Sequence, residues 1–354
     1  MLASVATVAE TAARAIAGAL SLLLLLAGDP ALANELRTGE PLAIRSEVAF
    51  GYDSNPAQSR EGPELAFARY GVEAARIWPL AGAEFGLAAS GWYRDNEADN
   101  DSYRLTLTGD WTRATDSGAG LLKVSVAGTA SRDRLVPADE RDEAAVGIRY
   151  SRVLSARHTL GLNGELRRLA YRNASLPWAG RPGASVGAGS GSKSGGGSDT
   201  GRNASTDNRH RNDTLAVRRD DDLFGVGLDL TRHWLPSLAS VLSVAHARCA
   251  SSVTAQTYDR DDLGLALRVT PADRWRLELG LGWSFTRYAE ISRQDRREDE
   301  RRSLTFAARR ALPGSGPGEG EAFCGVEWLD SDSTRAERSF QQQVTQCGLS
   351  WSFR

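Results

Sequence analysis

Two of the three cysteines are placed so that they could form a disulfide. If the chain turns near Arg335, Cys324 and Cys347 face each other on adjacent antiparallel strands. In an oxidising compartment such a pair forms a disulfide where the geometry allows it. The alternative is that both are small apolar side chains on the outer face of their strands. Cys249 has no partner in this pattern, and we expect it to be a free thiol.

Two acidic runs, residues 95–101 and 258–262, hold carboxylates close enough together to suggest calcium. Neither run has the spaced glycine and the terminal glutamate of an EF-hand loop. Solvated loops are therefore the favoured interpretation, and we predict no metal site.

The histidines offer no catalytic or metal-binding cluster, because they are scattered at His158, His210, His233 and His246. Asp229 and His233 share a face of one predicted strand but lie roughly 13 Å apart along it. The glycines do not form a phosphate-binding loop between a strand and a helix. The sequence therefore predicts neither an enzyme nor a cofactor.

Charged residues that alternate with apolar residues in predicted strands are candidates for lining a pore. Nine are basic and seven are acidic, which would give a pore a weak preference for anions. The favoured interpretation is that they form structural ion pairs across the wall, which would leave no selectivity. The candidates are Arg45, Glu47, Glu84, Arg94, Arg104, Asp110, Lys123, Arg149, Glu165, Arg167, Asp229, Arg268, Arg276, Glu278, Arg309 and Glu327.

The segments that carry these residues alternate with a period of two. In residues 275–285, tryptophan, leucine and phenylalanine occupy one face, and Arg276, Glu278, Gly280, Gly282 and Ser284 occupy the other. A helix would place Arg276 and Glu278 within the apolar surface, so the pattern favours a strand. Aromatic residues at the ends of many apolar faces are typical of the interfacial girdles of a membrane barrel.

The alternation recurs along the chain and predicts an all-β, transmembrane, antiparallel up-and-down β-barrel of about fourteen strands. Short connections alternate with long ones, as periplasmic turns and extracellular loops do. A soluble β-sandwich is the alternative, but it would not require this alternation of connection lengths. The predicted strands span residues 42–53, 64–78, 81–95, 102–114, 118–131, 142–154, 157–171, 222–234, 237–250, 261–270, 273–288, 300–311, 320–331 and 339–354.

The composition is compatible with such a barrel. The 354 residues are 41% hydrophobic and 25% charged, with a formal net charge of -2. This near-neutral balance argues against a nucleic-acid-binding protein. The mean hydropathy of -0.37 would suit a soluble domain, but half of each strand in a barrel faces water, so a low value is also expected there.

The two ends of the chain point to export and to the bacterial outer membrane. Residues 1–33 have the apolar run and the small-residue cleavage site of a signal peptide. Residues 34–354 contain no second apolar run long enough for a helical span, and we assign them to the barrel. The last strand ends on Phe353 and resembles the terminal strand that the barrel assembly machinery recognises, which would make that machinery and outer-membrane lipid the expected partners.

Residues 172–221 form a much longer connection between predicted strands than any other in the chain. The segment contains a glycine and serine-rich stretch followed by polar and charged residues. We expect a long flexible extracellular loop; the alternative is a loop that folds into the pore as a constriction.

The segment Gly51-Tyr52-Asp53-Ser54-Asn55, at the end of the first predicted strand, resembles the segment that opens two sets of outer-membrane barrels. One set is the β-barrel porins linked to exopolysaccharide export. The other is the fourteen-stranded C-terminal barrel of surface lipoprotein assembly modifiers, which also carry a helical periplasmic domain for which residues 34–41 leave no room.

From these patterns and this resemblance we expect a porin-like channel for passive passage of small solutes or saccharides. The alternative is an export or assembly barrel for polysaccharide or surface lipoprotein that works with a periplasmic partner. A closed structural or adhesive barrel is the third possibility.

Overall fold

The computed structural model describes residues 42–97, 100–115, 117–173, 219–289, 296–313 and 319–353. The signal segment 1–33 and most of the predicted loop 172–221 lie outside these residues. Consecutive strands are β1 Ala43–Asp53, β2 Leu65–Leu80, β3 Ala83–Asn96, β4 Ser102–Ala114, β5 Gly120–Asp133, β6 Arg141–Ser155, β7 His158–Tyr171, β8 Asp220–Leu235, β9 Leu238–Ser251, β10 Tyr258–Ala272, β11 Trp275–Tyr288, β12 Glu298–Ala311, β13 Glu319–Ser333 and β14 Phe340–Phe353.

The strands form one closed antiparallel barrel in which each pairs with its neighbours in sequence, and β1 pairs with β14. The closing pair runs from Ile44 opposite Phe353 to Asp53 opposite Val344. The predicted fold class, an up-and-down barrel of fourteen strands, is confirmed. Among the described residues, no helix has the length and apolar character needed to cross a membrane.

Each strand divides its side chains between two faces because successive residues point to opposite sides of the sheet. On β11, Leu279, Leu281 and Trp283 are exposed on the outer face. Their cross-strand partners continue this surface, since Leu281 lies opposite Leu265 on β10 and Leu304 on β12. The apolar residues therefore form the outside of the barrel, which leaves the polar partners of the alternation facing its interior.

The two ends of the barrel differ in their connections. At one end, which we call the short-turn end, tight turns join the strands, and Gly82 and Gly118 adopt positive φ there. The other, the long-loop end, includes short 3-10 helices at Pro137–Asp139, Thr254–Gln256 and Ala336–Arg338. In barrels of this type the short turns are periplasmic and the long loops extracellular.

Several strands extend further into the long-loop end than the sequence predicted. The acidic run 258–262, interpreted as a loop, is the start of β10, and Asp221 and Asp299, also assigned to loops, lie in β8 and β12. These segments carry charge on both faces, so they lack the apolar alternation by which the strands were recognised. Their backbone pairing continues nevertheless, with Asp221 opposite Ser251 and Leu169.

The seam between β1 and β14 is closed by a stack of side chains on the inner face. A Cβ at Gly51 would lie 2.4 Å from the Phe67 ring and 2.4 Å from the Thr345 carbonyl oxygen, so the aromatic ring packs directly on the glycine. Arg94 lies over the other side of that ring, 3.8 Å from its centroid, and donates a hydrogen bond of 3.0 Å to the buried Asp53 carboxylate.

The segment Gly51–Asn55 that the sequence singled out thus holds the seam together. Asp53 also accepts hydrogen bonds from the Asn55 backbone N–H at 3.0 Å and from the Gln342 side chain at 2.9 Å. The Asn55 side chain donates to the Gln341 carbonyl at 3.0 Å. These bonds tie the end of β1 to the start of β14.

We predict that Gly51→Ala destabilises the barrel by roughly 1–3 kcal/mol, because the new methyl group must displace Phe67 or the β14 backbone. Gly71→Ala is the matched control, since its nearest neighbour would be the Glu47 Cβ at 3.5 Å, an ordinary contact. Urea unfolding in vesicles, followed by tryptophan fluorescence, measures both. Equal midpoints for the two variants would contradict the packing described for the seam.

Candidate functional site

All of the predicted pore-lining residues lie on the inner face of the barrel. Cross-strand pairing brings several together: Lys123 lies opposite Arg149, Arg268 opposite Glu278, and Arg276 opposite Arg309. Each of the sixteen occupies the face opposite the exposed apolar residues of its strand. That they line a conducting pore remains a prediction.

Ion pairs neutralise most of these charges. Arg149 and Asp229 are 2.7 Å apart, Lys123 and Asp110 are 3.1 Å apart, and the other predicted residues follow the same pattern except Glu84 and Glu327. Among the described residues, neither of those two carboxylates has an ion-pair partner, and both are exposed. The sequence favoured structural ion pairs over charges that set selectivity, and for most of these residues the structure shows such pairs.

Two glutamates, neither of which the sequence singled out, organise the strongest clusters. Glu143 is buried on β6 and has arginines on three sides, at 2.9 Å from Arg141, 3.6 Å from Arg167 and 3.7 Å from Arg104. A buried carboxylate needs such partners because isolated charge is costly away from water. The cluster joins β4, β6 and β7 across the inner wall.

Glu321, near the short-turn end of β13, forms the second cluster. It lies 2.9 Å from Arg309 and 3.6 Å from Arg45, and it also pairs with Arg276. Arg309 in turn lies over the Phe323 ring, which packs against Gly348 on β14. The spatial stack of glycine, aromatic ring, arginine and carboxylate that surrounds Gly51 is therefore repeated on the other side of the seam.

Sequence reasoning missed further charged residues of the inner face, and more of them are acidic than basic. Six of them lie just outside the predicted strands, where extending the period-two alternation into the charged strand ends would have found them. The others lie within the predicted strands. The full set is Asp53, Arg69, Glu73, Asp133, Arg141, Glu143, Asp221, Arg260, Asp262, Asp299, Arg301, Glu319 and Glu321.

Two of the buried aspartates at the long-loop end are each held by an arginine two residues earlier in the chain. Arg219 contacts Asp221 and Arg297 contacts Asp299, with hydrogen bonds of 3.0 and 2.9 Å from their Nε atoms. Burial lowers the pKa of Arg219, but the hydrogen bond from its guanidinium to Asp221 and the nearby negative charges together outweigh burial, so the pKa is raised. Arg219 also lies 4.1 Å from the centroid of the Tyr171 ring.

A cavity of about 480 Å³ opens on the inner face. Arg45, Glu47, Glu73, Trp92 and Arg104 are among its lining residues. The one indole ring among them gives an apolar surface surrounded by hydrogen-bond donors and acceptors, which suits a small polar ligand better than an apolar one.

Cys324 and Cys347 lie directly opposite each other on β13 and β14, and their sulfurs are bonded. Cys347 also lies opposite Phe50, which is exposed on the outer face, so the disulfide faces outward. The sequence offered a disulfide or two outward-facing apolar side chains. In the structure the two cysteines do face outward, and they form the disulfide. Cys249 is buried on the inner face as a free thiol.

The catalytic pair considered in the sequence is not assembled. Asp229 pairs with Arg149, and its register partner on β9 is Ser243, whereas His233 lies opposite Ala239. Within the described residues, no group of three or more metal-ligating side chains is present.

No protein-family model and no curated protein matches the sequence. Solved structures with a similar fold include OmpT of Vibrio cholerae, at 9% identity and TM-score 0.46, covering 88% of this chain and 97% of that chain. The CymD monoaromatic hydrocarbon channel has 10% identity and TM-score 0.45, with 89% of each chain covered. A bacterial polysaccharide outer membrane secretin has 8% identity and TM-score 0.45, covering 88% of this chain and 98% of that chain.

The class of protein follows from the architecture. A closed antiparallel barrel with an apolar outer face and a charged inner face is the form in which β-strands cross the bacterial outer membrane. The protein is an outer-membrane β-barrel.

We predict that Arg94→Gln destabilises the barrel by roughly 3 kcal/mol, because it leaves the Asp53 carboxylate, 1% exposed, without its charged partner. Arg248→Gln is the control, since Arg248 and Asp259 form an exposed pair of 4.0 Å worth less than about 1 kcal/mol. Thermal loss of heat-modifiable gel mobility compares the two. If both variants lost folded mobility at the same temperature, Arg94 would not be needed to balance Asp53.

We predict that peptide mapping without reductant recovers the peptides of Cys324 and Cys347 joined, and that of Cys249 unmodified. Reducing the bridge should lower the free energy of unfolding by roughly 2–4 kcal/mol, as for closed loops of this size. Recovery of two free thiols from freshly isolated outer membranes would contradict the pairing.

Proposed function

We propose that this protein is a channel for passive passage of small hydrophilic solutes or saccharides across the outer membrane. The observation that carries the proposal is the inner face, which is polar and charged from one end of the barrel to the other and contains the cavity beside Trp92. A barrel closed for purely structural reasons has no need of a hydrophilic recess on this scale.

The cavity favours uncharged or weakly charged solutes rich in hydroxyl groups. The lining carries four arginines and two glutamates, so it offers both hydrogen-bond donors and acceptors. Arg69 lies 5.5 Å from the centroid of the Trp92 ring, and such a pairing of ring and guanidinium suits the mixed apolar and polar faces of a sugar.

Ion selectivity should be weak and in favour of cations. Most inner charges cancel in ion pairs, whereas Glu73, Glu84, Glu319 and Glu327 are exposed carboxylates that have no ion-pair partner among the described residues. Unpaired acidic side chains attract cations into a pore. The count of predicted pore-lining charges alone suggested the opposite, a weak preference for anions.

Single-channel recording in planar bilayers tests the proposal. The purified full-length protein should form stable open channels whose conductance falls when an oligosaccharide is added. A barrel that inserts, keeps its folded gel mobility and does not conduct would overturn it.

We predict that the triple variant Glu73→Gln, Glu84→Gln and Glu327→Gln lowers the cation-to-anion permeability ratio by roughly twofold, because it removes three of the four exposed inner carboxylates that have no ion-pair partner among the described residues. The control is Asp95→Asn, Asp259→Asn and Asp330→Asn, which removes equal charge from the outer face. Reversal potentials in a salt gradient measure the ratio. Equal shifts in both triple variants would assign selectivity to overall charge rather than to these three residues.

An export or assembly barrel is the second candidate, favoured by the resemblance of Gly51–Asn55 to barrels of polysaccharide export and of lipoprotein assembly. Such a barrel would conduct only with its periplasmic partner, so a closed channel that opens when periplasmic extract is added would support it. In either case we propose that the assembly machinery inserts the barrel through β14, whose Phe353 is exposed on the outer face.

A further inference from the structure

Arginines project from the outer face at the short-turn end, close to the ends of five even-numbered strands. The pairing register places them on the same side of the wall as the apolar residues. We call them the outer arginine belt: Arg76 on β2, Arg113 on β4, Arg152 on β6, Arg232 on β8 and Arg310 on β12.

Three arginines of the belt each lie beside a tryptophan ring of the same face. Arg232 is 3.7 Å from the centroid of the Trp234 ring, and Arg76 and Arg310 are each 5.3 Å from the Trp78 and Trp275 rings. Rings of this kind lie at the level of the lipid headgroups in membrane barrels. The guanidinium groups are therefore held where headgroup phosphates lie.

The belt has no acidic counterpart in the protein. Among the described residues, none of its five arginines forms an ion pair, and no strand places a carboxylate on the outer face near the short turns. All of the belt except Arg76, which is half-buried, is exposed. The guanidinium N–H groups thus remain available to anions from outside the protein.

The outer face at the long-loop end provides the contrast. There Arg302 is 2.6 Å from Glu300, Arg287 is 2.9 Å from Asp261, and Arg248 is 4.0 Å from Asp259. These three arginines have acidic partners within the protein, whereas the arginines of the belt have none among the described residues. The difference points to a ligand supplied by the leaflet that surrounds the short turns.

We propose that the outer arginine belt binds the phosphate groups of anionic phospholipid in the periplasmic leaflet. Arginine recognises phosphate through paired N–H donors, and basic residues near a membrane surface are attracted to anionic lipid. The tryptophan rings beside Arg76, Arg232 and Arg310 hold these guanidinium groups at headgroup depth. The proposal rests on the barrel and its orientation and holds whether or not the lumen conducts.

Native mass spectrometry of the full-length protein tests the proposal. The protein is mixed with equal amounts of phosphatidylglycerol and phosphatidylethanolamine that carry the same acyl chains, and the retained lipid is identified. We expect phosphatidylglycerol to be retained several-fold more than phosphatidylethanolamine. Equal retention of the two lipids by the unaltered protein would overturn the proposal.

Two triple variants separate the belt from overall charge. Arg76→Gln, Arg232→Gln and Arg310→Gln should lower the preference for phosphatidylglycerol at least threefold. Arg248→Gln, Arg287→Gln and Arg302→Gln remove the same charge at the long-loop end and should leave the preference unchanged. A belt variant that keeps the preference, or a control that loses it equally, would contradict the assignment.

Folded gel mobility must be verified for every variant before lipid is added. If the belt triple variant does not fold, Arg232→Gln and Arg310→Gln are measured singly. Each should lower the preference in part, and Arg232→Lys should restore much of it, since it keeps the charge. No change in either single variant would then count against the belt.

Discussion

The pairing of β1 with β14 is the constraint on which the rest of the barrel depends. Hydrocarbon offers no partner to a free N–H or carbonyl group, and each unpaired group there costs several kcal/mol. An open sheet would leave two whole strands in that state, so the ends of the chain must meet in register. The structure achieves this between Ile44–Asp53 and Val344–Phe353.

Closure also explains the side chains on both sides of the seam. Gly51 and Gly348 leave room for Phe67 and Phe323, and an arginine covers each ring and meets a carboxylate. These stacks join the wall to the charged interior, so the stability of the seam and the electrostatics of the lumen share residues. Ion selectivity then depends on the few exposed inner carboxylates that have no ion-pair partner among the described residues.

Much of this could be predicted from residue order, because a period of two separates the faces of a strand without knowledge of its neighbours. The period-two pattern placed Arg276 and Glu278 on the inner face, and the predicted turn near Arg335 placed Cys324 opposite Cys347. Partners such as Glu321 for Arg45 could not be predicted, since they lie two strands apart and meet only through the curvature of the closed wall. The strand ends at Asp221 and Asp299 were missed because both of their faces are polar.

The central claim is the register of the closing seam, and cysteine cross-linking in intact outer membranes measures it directly. With the native cysteines replaced by alanine, Val48→Cys and Leu349→Cys face each other and should form an intramolecular disulfide in high yield. Val48→Cys with Trp351→Cys, one pairing step away on the same face, should not. Preferential cross-linking of the second pair, or cross-links only between separate molecules, would contradict the closed barrel described.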